Sequence, residues 1–182
     1  MKFDAIRCGA ALSLLLLAGC ATQKPAPAVR LGLKLAPAAL GETISLQQHL
    51  KVERGGRIDE LDAAIEVDPS HVQMVGLAFG QRVLSVSFDG KELKTWRHVM
   101  LPKQVRGEDV LEDMQLALWP VAAVAAGLPA GWRIEEKGML RSLYLGDELV
   151  TTVVYSAEPR WSGTINMNNL RYNYRLTIQS VQ

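Results

Sequence analysis

Residues 107–129 have the pattern of an amphipathic helix, in a chain that elsewhere alternates like β-strands. Apolar residues recur in the first half of this stretch at intervals of three and four, which places them on one side of a helix. The polar residues Glu112, Asp113 and Gln115 fall on the other side. Residues 107–109 are small or acidic, as suits the unpaired amides of a helix start.

The same stretch contains a break. Pro120 predicts that the helix stops after Trp119, because proline has no amide hydrogen and clashes with the preceding turn. Residues 121–126 then predict a second short helix that is apolar on nearly all sides. A broken helix of this kind must be covered, so we expect it to lie as a lid across a sheet. The lid either completes an ordinary core or closes a cavity.

The rest of the region 43–182 alternates between apolar and polar residues with the period of β-strands. Gly55-Gly56 and Asp89-Gly90 predict tight hairpin turns, and Asn168-Asn169 predicts the turn of a last hairpin. About ten strands joined by short turns suit a curved sheet better than two flat layers. The predicted fold is therefore mainly β: one strongly curved antiparallel sheet, or half-barrel, with residues 107–129 as its helical lid.

The first 42 residues predict export and attachment to a membrane. Residues 1–19 combine a short charged start with an apolar run, which is typical of a secretory leader. They meet Cys20 in the sequence Leu-Ala-Gly-Cys, which is similar to the bacterial lipobox, so Cys20 is expected to carry acyl chains such as palmitate. Residues 20–42 include three prolines and predict a tether to a single domain, residues 43–182.

Charge and motif content argue against several other functions. The 20 lysines and arginines nearly balance the 19 acidic residues, which argues against a nucleic-acid partner. His49, His71 and His98 stand alone in the sequence, so no metal site and no cofactor are predicted. The sequence lacks a nucleophile elbow and a phosphate-binding loop, and we assign no catalytic residue.

Two large apolar residues, Leu77 and Phe79, fall in a glycine-flanked segment where polar turn residues are usual. One interpretation is an exposed turn that inserts among lipid tails as a membrane or transfer loop. The other is that the strand continues and both side chains belong to the core.

If the lid covers a cavity, inward residues of the strands and of the helical stretch should line it. The residues expected in this cavity and its lid are Ile44, Leu46, Ile65, Val86, Phe88, Trp96, Met114, Leu118, Trp119 and Tyr174.

The lipobox, the proline-rich tether, the apolar turn and the run W-P-V-A-A-V-A-A-G-L-P between two meanders resemble the outer-membrane lipoprotein carrier superfamily, the LolA/LolB-like half-barrels. More narrowly, residues 31–41, 111–120 and 174–178 resemble lipoproteins often encoded in aryl polyene pigment clusters. This resemblance implies a curved sheet that holds acyl chains under helices and an apolar loop that delivers them, a position held here by Phe79. Ala21 after the cysteine, by resemblance to enterobacterial lipoproteins, implies the periplasmic face of the outer membrane.

Three functions follow as hypotheses. The first is a non-enzymatic carrier or acceptor that shelters an apolar cargo between the curved sheet and the lid, and the cargo would be a lipoprotein acyl chain or an aryl polyene lipid. The second is a scaffolding lipoprotein that binds a protein partner, and the third is an enzyme acting on a lipid or acyl thioester. A monomer is expected, attached to the membrane through Cys20, with a periplasmic carrier protein as a candidate partner.

Overall fold

The computed structural model describes residues 30–181 and confirms a mainly β fold. The predicted leader, Cys20 and the first part of the tether lie outside the described residues. The strands are β1 (Ile44–Arg54), β2 (Arg57–Val67), β3 (Val72–Ala78), β4 (Gln81–Phe88), β5 (Leu93–Arg97), β6 (Trp132–Lys137), β7 (Leu140–Leu145), β8 (Glu148–Tyr155), β9 (Thr164–Asn169) and β10 (Tyr174–Val181).

All ten strands belong to one antiparallel sheet, in the order β5-β4-β3-β2-β1-β10-β9-β8-β7-β6. The sheet consists of two five-strand meanders that meet where the first strand pairs with the last. Strands β5 and β6 are its two edges, so the sheet is not closed. The segment between β5 and β6 therefore has to run from one edge of the sheet to the other.

That segment contains the predicted broken helix. Helix α1 spans Gly107–Leu118, helix α2 spans Val121–Gly127, and Pro120 lies between them with an extended ψ of 139°. Helix α1 packs against β4 and β5, whereas α2 packs against β6. The break at Trp119-Pro120 thus lets one apolar stretch contact both ends of the sheet, and the buried side chains of both meanders and both helices form one core.

Residues 30–36, which belong to the predicted tether, pack into this core. Leu31, Leu33 and Leu35 are buried. The alternation of these leucines resembles an edge strand, but the backbone of this segment forms hydrogen bonds with side chains of α1 instead of with the sheet. A carboxylate oxygen of Glu112 accepts the Gly32 amide at 2.6 Å, and the buried amide group of Gln115 both accepts from and donates to Leu35 at 2.8 Å. We call residues 30–36 the N-terminal strap.

The strap corrects the predicted polar side of α1. Glu112 and Gln115 are buried, because the strap covers the side of the helix that the sequence pattern predicts to face solvent. The one-turn 3-10 helix Pro37–Leu40 follows, with Pro37 and Leu40 also buried. As far as the structure describes it, the predicted tether belongs to the folded domain from Leu31 onward.

The last hairpin turn lies at residues 170–173, not at the predicted Asn168-Asn169. Asn169 is a buried strand residue, and its side-chain oxygen accepts the Tyr172 amide at 2.9 Å. Asn173 takes the left-handed conformation that the turn requires, with φ 50°. The turn is therefore closed by the asparagine side chain at one end and by a positive φ at the other.

Candidate functional site

A cavity of about 150 Å³ lies beneath α1. Strands β1 to β4 and β10 form its floor, and α1 with residues 101–106 covers it. From α1 the lining side chains come at helical spacing, so one face of the helix looks into the cavity. The apolar lining consists of Leu50, Val52, Leu61, Ile65, Met74, Leu84, Leu101, Pro102, Val105, Val110, Met114, Ala117, Leu118, Leu176 and Ile178.

The volume of the cavity limits what it holds with α1 in this position. A cavity of about 150 Å³ with apolar walls accommodates a benzene-sized group, whereas pockets for drug-sized ligands have volumes of about 300–1,000 Å³. A short apolar group fits the space, whereas a long acyl chain requires α1 or the loop of residues 101–106 to move. The exposed residues Gln104 and Arg106 also line the cavity, so it reaches the surface beside the loop.

One end of the cavity is charged. We call this end the polar rim, and define it as Arg30, Arg54, Asp59, Arg106, Asp109 and Asp113. Most of the carboxylates are already paired: Asp109 lies 3.0 Å from Arg30, and Asp59 lies 2.7 Å from Arg57. The cavity is therefore amphipathic, with a large apolar part and a small ionic one.

Asp113 is held at the rim by Tyr174. The phenol of Tyr174 donates to Asp113 Oδ2 at 2.5 Å and accepts from the Asn169 side-chain amide at 3.3 Å. Burial raises the pKa of Asp113 to about 7, although the hydrogen bond from Tyr174 opposes this shift. Burial also raises the pKa of Tyr174, and the Asp113 charge raises it further. Asp113 thus changes its protonation near neutral pH beside the cavity.

The predicted cavity residues divide into three groups. Ile65, Met114, Leu118 and Tyr174 line the cavity. The others, apart from Trp96, pack in the core away from it. These are Ile44, Val86, Phe88 and Trp119, which are buried, and Leu46, which is partly buried against the core.

Trp96 does not line the cavity, contrary to the expectation from its sequence position. It pairs with Ser85 of β4, whereas its neighbour Thr95 pairs with the buried Val86. Directly opposed residues of two strands share a face of the sheet, so Trp96 faces outward with Ser85. It is 43% exposed, and the guanidinium of Arg82 stacks over its ring at 4.8 Å.

The C-terminal end of α1 is fastened by residues that the sequence pattern does not single out. Arg141, which is 2% exposed, donates to the carbonyls of Leu116 at 2.5 Å and Trp119 at 2.9 Å. The Tyr155 hydroxyl donates to the Ala117 carbonyl at 2.8 Å. These carbonyls lack partners within the helix, so the two side chains satisfy the helix end. We call Arg141 and Tyr155 the latch.

Glu136 is the charged partner of the latch residue Arg141. Its carboxylate accepts from Arg141 at 2.8 Å and from Arg160. Burial would raise the pKa of Glu136, but the hydrogen bonds from both arginines outweigh burial and lower it. The signal that could have found the latch is the alternation of β7, because Arg141 is two residues from the buried Leu143 and so occupies an inward position of the strand. A charged residue in phase with a buried face needs a partner.

Phe79 lies in an exposed hairpin turn and not in the core. Phe79 and Gly80 connect β3 to β4, and both take positive φ, 53° and 72°. Turns of this type normally use asparagine or glycine, so a phenylalanine here is strained. Phe79 is nevertheless 92% exposed, while Leu77 is 37% exposed. A polar residue would suit this position of the turn, but the chain has a large apolar side chain there, in contact with solvent.

The same end of the sheet exposes further apolar side chains. The His98 amide donates to the Val83 carbonyl at 2.8 Å, which extends the β4–β5 pairing towards the Phe79 turn. Val99 and Met100, the next residues, are 89% and 55% exposed. We call Leu77, Phe79, Val99 and Met100 the apolar tip. Residues 101–106, which cover the cavity, follow the tip directly, so tip and cavity opening lie at one end of the sheet.

The remaining polar clusters do not form a metal site among residues 30–181. His49 lies 2.9 Å from Asp62 on the solvent-facing side of β1 and β2, and His71 lies 2.8 Å from the Ser70 hydroxyl in a turn. No described helix is long and apolar enough to cross a membrane.

The family model described as "Protein of unknown function (DUF3261)" matches residues 45–182. The matched region contains β1 from its second residue, β2 to β10 and both α-helices, so it includes the latch, the apolar tip and every cavity-lining residue except Arg30. The strap and Cys20 precede it. No curated protein matches the chain.

Proposed function

We propose that this chain, which belongs to the DUF3261 family of proteins of unknown function, binds the apolar part of a lipid-like molecule in the cavity beneath α1. The observation that carries the proposal is the amphipathic cavity, with apolar walls and a charged rim. Apolar sites with a few placed polar groups are typical of small-molecule binding. The proposed function is binding or transfer without chemical conversion.

The position of the helices supports a movable cover. The cavity has a volume of about 150 Å³, so helix α1 has to shift if a larger cargo is to enter. Two separate sets of contacts hold α1 in place: the strap along one side and the latch at its C-terminal end. This arrangement is consistent with a LolA/LolB-like half-barrel, in which the open sheet wraps around an acyl chain. A lipoprotein acyl chain and an aryl polyene lipid are the two proposed cargoes.

The sequence before the described residues supports a location. An acylated Cys20 would hold the domain at the periplasmic face of the outer membrane, since two or more acyl chains give stable anchoring. The apolar tip then supplies a contact with the bilayer next to the cavity opening. We propose that cargo passes between cavity and membrane, or a periplasmic carrier protein, at this end.

The test is to fill the cavity. Val52 is half-buried in the cavity wall, so Val52→Phe places extra carbon atoms in the space with little loss of existing packing. Calorimetry with octanol, octanoate and octyl phosphate should show at least tenfold weaker binding of all ligands that bind the wild type. The full chain with Cys20→Ser is used as background, so that no attached acyl chain competes.

The matched control is Val154→Phe, because Val154 is 44% exposed on β8 and does not line the cavity. This variant should bind like the wild type. Native mass spectrometry of the unmodified protein extracted from its own membrane should show a co-purifying lipid. If no octyl compound binds and no lipid co-purifies, the binding function is refuted.

The apolar tip favours one alternative, a scaffold that binds a protein partner through exposed Phe79 and Val99. Exposed apolar groups at an interface are covered equally well by a protein surface or a membrane. The scaffold predicts that Val52→Phe has no effect in cells while substitution of the tip abolishes function. The carrier predicts that both changes impair it.

A further inference from the structure

Two buried arginine donors lie unused at the cavity. Arg30 Nη1 and Arg54 Nε are buried and have no hydrogen-bond partner among the described residues, and both side chains line the cavity. A buried cationic donor without an acceptor is unfavourable, and such groups in native proteins call for an explanation. A ligand that supplies the acceptor is one.

Both guanidinium groups are held in place by tyrosine rings. Arg30 stacks over Tyr172 at 3.8 Å, and Arg54 stacks over Tyr174 at 4.8 Å. The two tyrosines flank the start of β10, so one hairpin orients both arginines. Stacking leaves the in-plane N–H groups available to a ligand, and a group that is fixed in advance loses little entropy on binding.

The carboxylates of the rim do not use up these donors. Asp109 pairs with the other terminal nitrogen of Arg30, Asp113 accepts from Tyr174, and Asp59 pairs with Arg57. Arg54 forms no ion pair within residues 30–181. The unmatched groups at this end of the cavity are therefore donors with positive charge, which favours an anion.

We propose that Arg30 and Arg54 form the head-group site of the cavity, and that the ligand is a single-chain amphiphile with a carboxylate or phosphate head. The planar guanidinium fork matches both anions. The apolar tail lies against the walls beneath α1. This inference rests on the proposed function and adds the chemical class of the cargo to it.

The experiment compares ligands that share an octyl chain and differ in the head group. Calorimetry at pH 6, where octanoic acid is ionised, uses octanoate, octyl phosphate, octanol and octyltrimethylammonium with the Cys20→Ser chain. We expect octanoate and octyl phosphate to bind about tenfold more tightly than octanol, as one charged hydrogen bond allows. Comparing the two anions identifies the preferred head. Acetate and inorganic phosphate alone should not bind measurably.

Substitutions assign the preference to the arginines. Arg54→Gln should weaken binding of the preferred anionic amphiphile about tenfold and leave octanol unchanged. Arg54→Lys retains the charge but not the fork, and should restore only part of the affinity. The control, Arg82→Gln, removes an exposed arginine that stacks on Trp96 outside the cavity, and should change nothing.

Several results would overturn the head-group site. These are equal affinities for octanoate, octyl phosphate and octanol, tighter binding of octyltrimethylammonium than of the anions, or binding of acetate or phosphate without a tail. Unchanged anion affinity in a folded Arg54→Gln variant would do so as well. If that variant does not fold, the test is the comparison of the four octyl ligands on the chain that retains Arg54. If octanol and all the other octyl compounds fail to bind, and no lipid co-purifies with the unmodified protein, the proposed function itself is refuted.

Discussion

Asp113 shows how one residue connects the stability of the fold to the cavity. Its carboxyl group has a pKa of about 7, because burial disfavours the ionised form. An aspartate in an unfolded chain has a pKa of about 3.9. The folded state therefore holds this proton more tightly than the unfolded state. Stability from this group is fully present below about pH 3.9 and is lost as the pH rises through about 7.

Asp113→Asn should remove this pH dependence. Asparagine keeps an acceptor for the Tyr174 hydroxyl but carries no charge. We expect the free energy of unfolding of the variant, relative to wild type, to increase from pH 4 to pH 8. The upper bound is about 1.4 kcal/mol for each unit by which the pKa is raised. Urea unfolding at both pH values measures it.

The control for this change is Asp147→Asn, in the exposed turn between β7 and β8. Glu112 and Asp109 also have pKa values raised by burial, so the Asp113→Asn variant should keep part of the wild-type slope. A difference between wild type and Asp113→Asn that stays constant from pH 4 to pH 8 would contradict the assigned role.

Helix α1 covers the cavity, and its C-terminal end is fixed by the latch. Arg141→Met should lower the free energy of unfolding by about 3 kcal/mol, because removing one partner of a buried pair leaves the other charge less compensated. Glu136 would keep only Arg160, and two carbonyls near the end of α1 would lose a donor. Urea unfolding at pH 7 gives the magnitude.

Arg133→Met is the matched control for the latch. Arg133 also pairs with a glutamate of β6, but its side chain is 46% exposed. Exposed pairs contribute about 0–1 kcal/mol, so the control should be nearly neutral. Equal losses from the two substitutions would show that Arg141 fastens nothing beyond a surface pair.

The elements differ in how well the sequence predicts them. Strands and turns follow from period-two patterns and glycine pairs, and the break between the helices follows from Pro120, since these signals are local. The strap is not predictable in this way. Its bonds join residues 80 positions apart, and alternating leucines look like a strand whatever partner they find. The face of Trp96 depended on the β4–β5 register, which periodicity alone does not fix.

The candidate site is predictable to a smaller extent. Inward apolar residues of strands were identified, but which of them border empty space depends on how α1 packs. Leu118 lines the cavity while Trp119, its neighbour, is fully buried in the core. Arg30 comes from the strap and Arg54 from the end of β1, and only the folded chain brings the two arginines together.

At the scale of the whole molecule, the features proposed for function lie at one end of the sheet. The apolar tip and the cavity opening share one end, because residues 101–106, which cover the cavity, directly follow Val99 and Met100 of the tip. If this end rests on a bilayer, the opening is at the membrane surface. Phe79 keeps a strained backbone and an exposed ring, which is unfavourable for a protein that meets only water.

The last prediction concerns this orientation. In the Cys20→Ser chain, Leu77→Glu combined with Phe79→Asn should weaken binding to lipid vesicles about tenfold or more, since inserting one large apolar side chain contributes about 1.5–3 kcal/mol. The thermal midpoint should stay the same or rise, because asparagine tolerates the φ of 53° that Phe79 adopts. Vesicle flotation and thermal unfolding measure the two quantities.

The matched control is Met139→Glu with Leu140→Glu, another pair of partly exposed apolar residues at a hairpin, with exposures of 39% and 40%. Their turn joins β6 to β7, on the opposite edge of the sheet from β4 and β5, so this variant should retain vesicle binding. A tip variant that loses several degrees of thermal midpoint would mean that Leu77 and Phe79 support the fold. Equal vesicle binding by both variants and the parent chain would exclude Leu77 and Phe79 as the membrane contact.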